Sequence, residues 1–414
     1  MTDIPFIPED LILDIILRLP IQHVLVCRSV CKKWNLMLRS HNFISLYDNY
    51  RARRKENDKE SGASFILLRF DINFFKGIYI SQFPNILISF LTVKKKCNEL
   101  IAIVDGEKKA DVPFYPPMIT DMGEYNFINS LRFENVYYGI ICMSNEMDIL
   151  LFNPSTRESQ MLPFSPFSYP YADFTNSYVL GVWFDPQYQS NLNQPPLRAL
   201  KHYKVFREVT LFIGQINYHH RRFEEINIVF EIYDSRENCW RKSETVCKDT
   251  TSWYNLLLNG VFHLSIQGDS IITIDARSEM LGRLPLPFEL NHPFIAPLDI
   301  LRGSLALFVN NYENHMPTYV TDIWLMNEYG VKQSWTKHYT IEFDVSFKPD
   351  QYRPITFWKY MDKEEEDDEL FLQNNDGKLV SINLVTKKIT NFELYGIHSS
   401  MMIVPYIETL LPLK

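Results

Sequence analysis

The spacing of apolar residues changes character along this chain. From Pro8 to Leu19, Ile12, Ile15, Ile16 and Leu19 recur at i, i+3, i+4 and i+7, one stripe of a 3.6-residue period. Pro8 suits the first helical position, where a missing N–H costs nothing. Glu9 and Asp10 lie in the first turn and Arg18 near the other end, both favourable to the macrodipole, and Pro20 stops the helix. A second periodic stretch runs from Ile21 through Val24, Leu25, Cys27, Val30, Cys31 and Trp34 to Leu36 and Leu38. Leu11, Leu13 and Leu17 lie off the first stripe, so that helix is apolar over most of its circumference. A unit of about forty residues rarely holds together on a single core. Either both of its faces pack on the rest of the chain, or one is left to receive helices of another protein. Periodicity does not choose between them.

Residues 51–64, RARRKENDKESGAS, have no aromatic or branched aliphatic residue and read as a charged linker. Arg51, Arg53, Arg54 and Lys55 resemble a nucleic-acid or import patch, but Glu56, Asp58 and Glu60 dilute it, which favours a solvated connector.

From Phe65 onward helical spacing gives way to short runs rich in β-branched and aromatic residues. Phe65–Phe70, Ile86–Val93, Val179–Phe184, Ile226–Tyr233, Ile271–Ile274, Leu305–Val309 and Leu379–Ile382 are examples. They predict an all-β domain over 65–414. A unit recurs inside it: an apolar strand, a polar turn, a second strand. It is found at Leu150–Arg157, Phe230–Arg236, Ile272–Arg277, Asp322–Met326 and Val380–Leu384. Marked from Phe152, Tyr233, Ile274, Trp324 and Ile382, the intervals are 81, 41, 50 and 58 residues. The first is close to twice the second, which predicts one more unit between, around Val179–Asp185. Stranded repeats of roughly 40–50 residues predict the blades of an irregular β-propeller, with a two-sheet sandwich as the alternative.

Composition narrows the chemistry. The 414 residues are 46% hydrophobic, enough for a sizeable core, and the 14 glycines supply no G-x-G-x-x-G, P-loop or nucleophile elbow. His202, His219 and His220 lack metal-ligand spacing, and Cys27 and Cys31 read as small buried hydrophobes. No cofactor and no catalytic group is expected. The six cysteines form no disulfide framework, Asp3, Glu9 and Asp10 oppose a signal peptide, and no apolar run approaches the roughly 18 residues of a membrane span. A cytosolic or nuclear protein is expected.

The net charge of −8 divides into +2 for residues 1–60 and −10 for residues 61–414, which speaks against nucleic acid and for a basic protein partner. Part of it is one block, Asp362, Glu364, Glu365, Glu366, Asp367, Asp368 and Glu369 around Lys363. It reads either as a solvated loop or as a patch that steers a basic partner.

Two resemblances follow from these residues. Ile7-Pro8-Glu9-Asp10, Ile15 to Pro20 and Cys27-Arg28-Ser29-Val30-Cys31-Lys32-Lys33-Trp34 resemble the F-box of plant F-box proteins, in order and spacing. That resemblance implies a three-helix unit over residues 1–50 that docks on a Skp-family adaptor and cullin scaffold within an SCF ubiquitin ligase. By matching positions, Pro8, Ile12, Ile16, Leu19, Pro20, Val24, Leu25, Val30 and Trp34 would form or support the adaptor surface. Leu150–Pro163, Tyr233–Trp240, Leu301–Phe308, Asp322–Lys337 and Lys388–Gly396 resemble F-box-associated domains, most of all those of the S-locus F-box proteins of pollen. This implies a non-catalytic substrate receptor, here for basic pistil ribonucleases. A general F-box receptor with another substrate and a scaffold outside any ligase are the alternatives.

Overall fold

The computed structural model describes residues 8–57, 63–70, 86–96, 99–109, 132–144, 148–172, 174–184, 202–213, 225–248, 256–267, 269–288, 298–311, 319–343, 354–358, 368–374, 376–395 and 401–413. Four helices open it: α1 Glu9–Leu17, α2 Ile21–Cys27, α3 Lys32–Leu38 and α4 His41–Asn57. The second periodic stretch therefore makes two helices, because the backbone turns away at residues 28–31. Ser29 Oγ donates to Val26 O at 2.7 Å. Cys31 is extended, and its Sγ accepts from Trp34 N at 3.5 Å as the cap of α3. Cys31 is thus an exposed cap and not a buried hydrophobe. Ser40 Oγ, accepting from Phe43 N at 3.2 Å, starts α4 in the same way. The fourth helix runs on to Asn57 and strand begins at Ala63, so the first half of the expected linker is helix and residues 58–62 lie outside the described residues.

All the remaining described elements are strands, apart from a single turn of 3-10 helix at Lys332–Ser334. A first sheet holds β1 Ala63–Phe70, β2 Ile86–Lys96 and β3 Glu99–Lys109. A second holds β4 Arg132–Tyr137, β5 Ile140–Ser144, β6 Ile149–Asn153 and β7 Glu158–Met161. The third is β8 Phe174–Phe184, β9 Tyr203–Ile213, β10 Glu225–Asp234 and β11 Cys239–Lys248. β12 Leu256–Leu258, β13 Val261–Gln267, β14 Ser270–Asp275 and β15 Leu281–Pro285 make the fourth. β16 Leu298–Leu301, β17 Ser304–Asn311, β18 Tyr319–Met326 and β19 Trp335–Phe343 make the fifth. The sixth is β20 Pro354–Trp358, β21 Glu369–Gln373, β22 Lys378–Asn383 and β23 Ile389–Tyr395. The last strand, β24 Met402–Pro405, returns to the first sheet, with Phe65 opposite Pro405 and Leu68 opposite Met402.

Six antiparallel four-stranded sheets closed by the C-terminal strand are a β-propeller, as expected, and not a sandwich; the number of blades, six, comes from the structure. Every pair of neighbouring blades meets through an apolar cluster, and that between blades two and three also takes in the helices and the tail. Phe206, Phe230, Phe262 and Ile274 fill the gap between blades three and four, and Phe65, Leu67, Phe371 and Phe392 that between six and one. One expectation fails. Phe152, Tyr233, Ile274, Trp324 and Ile382 all lie on the third strand of a blade, and the 81-residue interval contains no hidden blade. Phe174–Phe184 is the first strand of the same blade as Tyr233, paired to β9. The interval is long because its blade has long connections. The blade that the repeat does not mark is instead blade one, which β24 completes alongside β1–β3.

The turn between third and fourth strands repeats for a physical reason. Asn153, Asp234, Asp275 and Asn383 each accept from the backbone N–H two residues on, at 2.8–3.1 Å. Four residues after each, Arg157, Asn238, Glu279 and Lys387 take positive φ to re-enter the sheet. Tyr138-Gly139 forms a tight two-residue turn at φ 47° and 75° in blade two. A Cβ on Gly139 would lie 2.4 Å from Ile407 O, so only glycine lets the C-terminal segment pass.

Antiparallel alternation puts the first-to-second and third-to-fourth turns of all blades on one face of the ring. β1 starts and β24 ends on that face, so the helices and the last residues share it. There the helical unit and blades two and three pack in one cluster. Ile16, Ile21, Val24, Leu38, Phe43 and Tyr47 join Cys142, Leu151, Val182, Tyr233 and Trp240. Residues 406–413 are threaded between them: Leu410, Leu411 and Leu413 belong to the cluster. Asn153 Nδ2 donates to Thr409 O and Leu411 O at 3.2 and 2.8 Å, and Leu413 N donates to Glu158 Oε2 at 3.2 Å.

Candidate docking surface

One side of the helical unit is fully engaged. Ile16 and Val24 are 2% and 0% exposed, and Ile12, Leu13, Leu17, Leu19, Leu25 and Trp34 pack against the same cluster. Tyr47 donates its hydroxyl to Leu19 O at 2.9 Å, fixing α4 to the end of α1. The other side is apolar and open. Leu11, Ile15, Val26, Val30 and Leu36 are 55%, 54%, 66%, 61% and 74% exposed. Leu11 and Ile15 are four apart on one face of α1, and the others lie on α2, the following turn and α3. Exposed apolar side chains in such density are unusual in a chain with no partner. Around them Arg28, Lys32, Lys33 and Arg39 make the unit basic, with Lys33 reaching Glu9 of α1.

The nine residues singled out from the sequence divide accordingly. Pro8, Pro20 and Val30 are exposed, and Ile12, Leu19, Leu25 and Trp34 are half-buried. Ile16 and Val24 are withdrawn into the seam with the ring and cannot touch a partner directly. Leu11, Ile15, Val26 and Leu36 were missed. The off-stripe Leu11 was the available signal, since an all-round apolar helix needs two partners.

The acidic block is also divided. Residues 362–367 lie outside the described residues. Asp368 and Glu369 are 0% and 6% exposed and do not face a partner, which corrects their reading as steering charges. Asp368 Oδ2 accepts from Arg302 Nε and from the Tyr339 hydroxyl, both at 2.8 Å, clasping blade six to blade five. Glu369 Oε1 accepts from Asn383 Nδ2 at 3.1 Å inside blade six. The sequence hides this because Arg302 is 66 residues upstream. A matching clasp joins blades three and four, where Glu279 holds Lys204 and Arg241. Indole donors do the same work elsewhere: Trp240 Nε1 reaches Pro163 O at 2.6 Å and Trp335 Nε1 reaches Pro285 O at 2.8 Å.

Titratable groups in the ring serve structure. His263 is buried between Leu256 O and the Tyr329 hydroxyl, and desolvation holds it down to about 4, hence neutral. Among the described residues no three His, Cys, Asp or Glu side chains gather as a metal site requires, and no helix is long and apolar enough to cross a membrane.

Comparison with known families decides the identity of both parts. Residues 121–411 match the model of the F-box associated beta propeller domain, and residues 4–46 match the F-box domain. The chain belongs to the F-box-associated β-propeller family. Its relatives are plant proteins. F-box protein CPR1 of Arabidopsis thaliana is 27% identical over 63% of this chain and 63% of its own length. Putative F-box protein At5g41510, from the same plant, is 24% identical over 98% of this chain and 90% of its own. The chain thus spans less than two thirds of CPR1, and 62% of the related F-box protein At4g22390. In this F-box protein Leu11, Ile15, Val26, Val30 and Leu36 all lie within 4–46, the F-box itself. The associated-domain match starts after β3, yet β1–β3 complete the same ring.

Proposed function

We propose that this protein is the substrate-receptor subunit of an SCF-type ubiquitin ligase, non-catalytic in itself. The observation that carries the reading is the open side of the F-box. Leu11, Ile15, Val26, Val30 and Leu36 face water on a unit whose opposite side is already packed on the propeller. A Skp-family adaptor covers that side, Pro8, Ile12, Leu19, Pro20, Leu25, Val30 and Trp34 contribute to the surface, and Ile16 and Val24 support it from beneath. A cullin scaffold then brings the ligase's catalytic subunits to a protein held on the propeller, and this chain supplies proximity. The test is co-purification of the adaptor with the full chain. Leu11→Asp combined with Ile15→Asp reduces recovered adaptor at least about tenfold, since each buries a charge at the contact, while the melting temperature stays unchanged. Undiminished recovery overturns the assignment.

The substrate reading rests on charge. Residues 61–414 carry −10, which favours a basic protein, and the string Asp322–Val331 with Ser334–Lys337 resembles S-locus receptors of pistil ribonucleases. Among the carboxylates of the acidic block, residues 362–367 carry the steering role, in cytosol or nucleus. Capture of a basic ribonuclease at low salt that is lost at about 0.5 M salt supports this reading; absence of capture at low salt leaves a general F-box receptor with a different substrate.

A further inference from the structure

The junction between F-box and propeller contains an ionisable group in an unfavourable place. Asp48 on α4 points at the C-terminal segment, where Thr409 Oγ1 donates to its Oδ2 across a long 3.4 Å. Its other oxygen, Oδ1, is sealed from water and accepts no hydrogen bond. Thr409 itself is 3% exposed and is gripped from the ring side, its N–H on Ser155 Oγ at 3.3 Å and its carbonyl on Asn153 Nδ2. The charged group that acts on Asp48 is Arg51 on its own helix, which is paired to Glu408 of the tail at 2.6 Å. The remaining titratable neighbour, Tyr47, is neutral, with burial raising it to about 12. From the ring, the uncharged Asn153 and Ser155 meet the tail at Thr409, and the charged Glu158 meets it further on, at Leu413 N.

We propose that Asp48 makes the F-box–propeller joint proton-dependent: protonated, it closes α4 onto the tail, and ionised, it weakens that contact and frees the docking unit to tilt. The burial that leaves Oδ1 without a partner pushes this carboxyl up to about 7, against the smaller opposing effects of Thr409 and Arg51. The sign follows from linkage. A carboxyl raised above its ordinary value of about 3.9 binds its proton more tightly in the closed joint than in the open one. Closure is therefore complete in acid, is progressively lost as pH rises from about 4, and reaches its minimum above about 7. Asp299 on β16 shifts in the same direction, so global unfolding would not separate the two, and a local readout is needed.

The experiment places one spin label at Leu36 on the open side of the F-box and one at Met280, an exposed turn residue of blade four, in the full chain. The expected result is a distance distribution that broadens between pH 5 and 7, the open-to-closed ratio rising by about tenfold per pH unit, and levels off above 7. Asp48→Asn keeps the narrow distribution at every pH. Thr409→Val, which removes the one hydrogen bond to the ionised form, moves the midpoint to higher pH and serves if the asparagine variant folds poorly. A wild-type distribution that does not change from pH 5 to 8 overturns the proposal, as does an Asp48→Asn chain that broadens like the wild type.

Discussion

The propeller and the F-box bury their apolar residues in opposite ways. Each blade shares a two-sided interface with its neighbours, so the ring satisfies itself. The F-box has four short helices, two apolar sides and no closed core: one side is lent to blades two and three and to residues 406–413, and the other stays open. The difference teaches that burial, not hydrophobicity, separates support from surface in the F-box. Ile15 and Ile16 are adjacent in sequence and alike in chemistry, yet one is 54% exposed and the other 2%.

The sharpest way to break the comparison is to place the same charge on either side. Val24→Asp forces an unpaired carboxylate into the shared cluster and costs upward of about 4 kcal/mol, which thermal denaturation reads directly. Leu36→Asp, on the open side, changes stability by less than about 0.5 kcal/mol. Equal effects would mean that the open side is not open. Within the ring, Arg302→Ala leaves Asp368 buried without its cation and costs about 3–5 kcal/mol. Arg302→Ala combined with Asp368→Ala recovers part of that loss, and a double variant no better than the single one contradicts the clasp. The smallest effect is at the indole latch: Trp335→Phe keeps the ring packing and removes only the bond to Pro285 O, for about 1 kcal/mol. Denaturant midpoints with unchanged slopes would check it.

What was legible in the sequence follows the same division. Local signals carried far: Pro20 as a stop, the polar turns that follow Phe152, Tyr233, Ile274 and Ile382, and the β-branched runs all lie where their chemistry demands. Partnerships distant in sequence did not show. Nothing near Asp368 reveals Arg302, so two buried carboxylates looked like part of a solvated block. The 81-residue interval mimicked two blades because spacing measures connection length as well as repeat number. The sequence did not separate Ile16 and Val24, which lie in the seam with the ring, from the residues that stay exposed, because an apolar stripe states that a face is covered, not by what. The second side of the F-box was visible only as an excess of apolar residues on α1, of which Leu11 is exposed while Leu13 and Leu17 pack on the ring cluster.

The threaded tail has a consequence for how the protein is made. Residues 406–413 lie beneath helices made roughly 350 residues earlier, and β24 closes a sheet begun at Ala63. At about 5–20 residues per second, the F-box waits on the order of 20–80 s for the strand and tail that complete its floor. During that interval both of its apolar sides face solvent. A chain interrupted before Met402 therefore lacks the last strand of blade one and the floor of the F-box together, so ring closure and F-box support are completed in a single step.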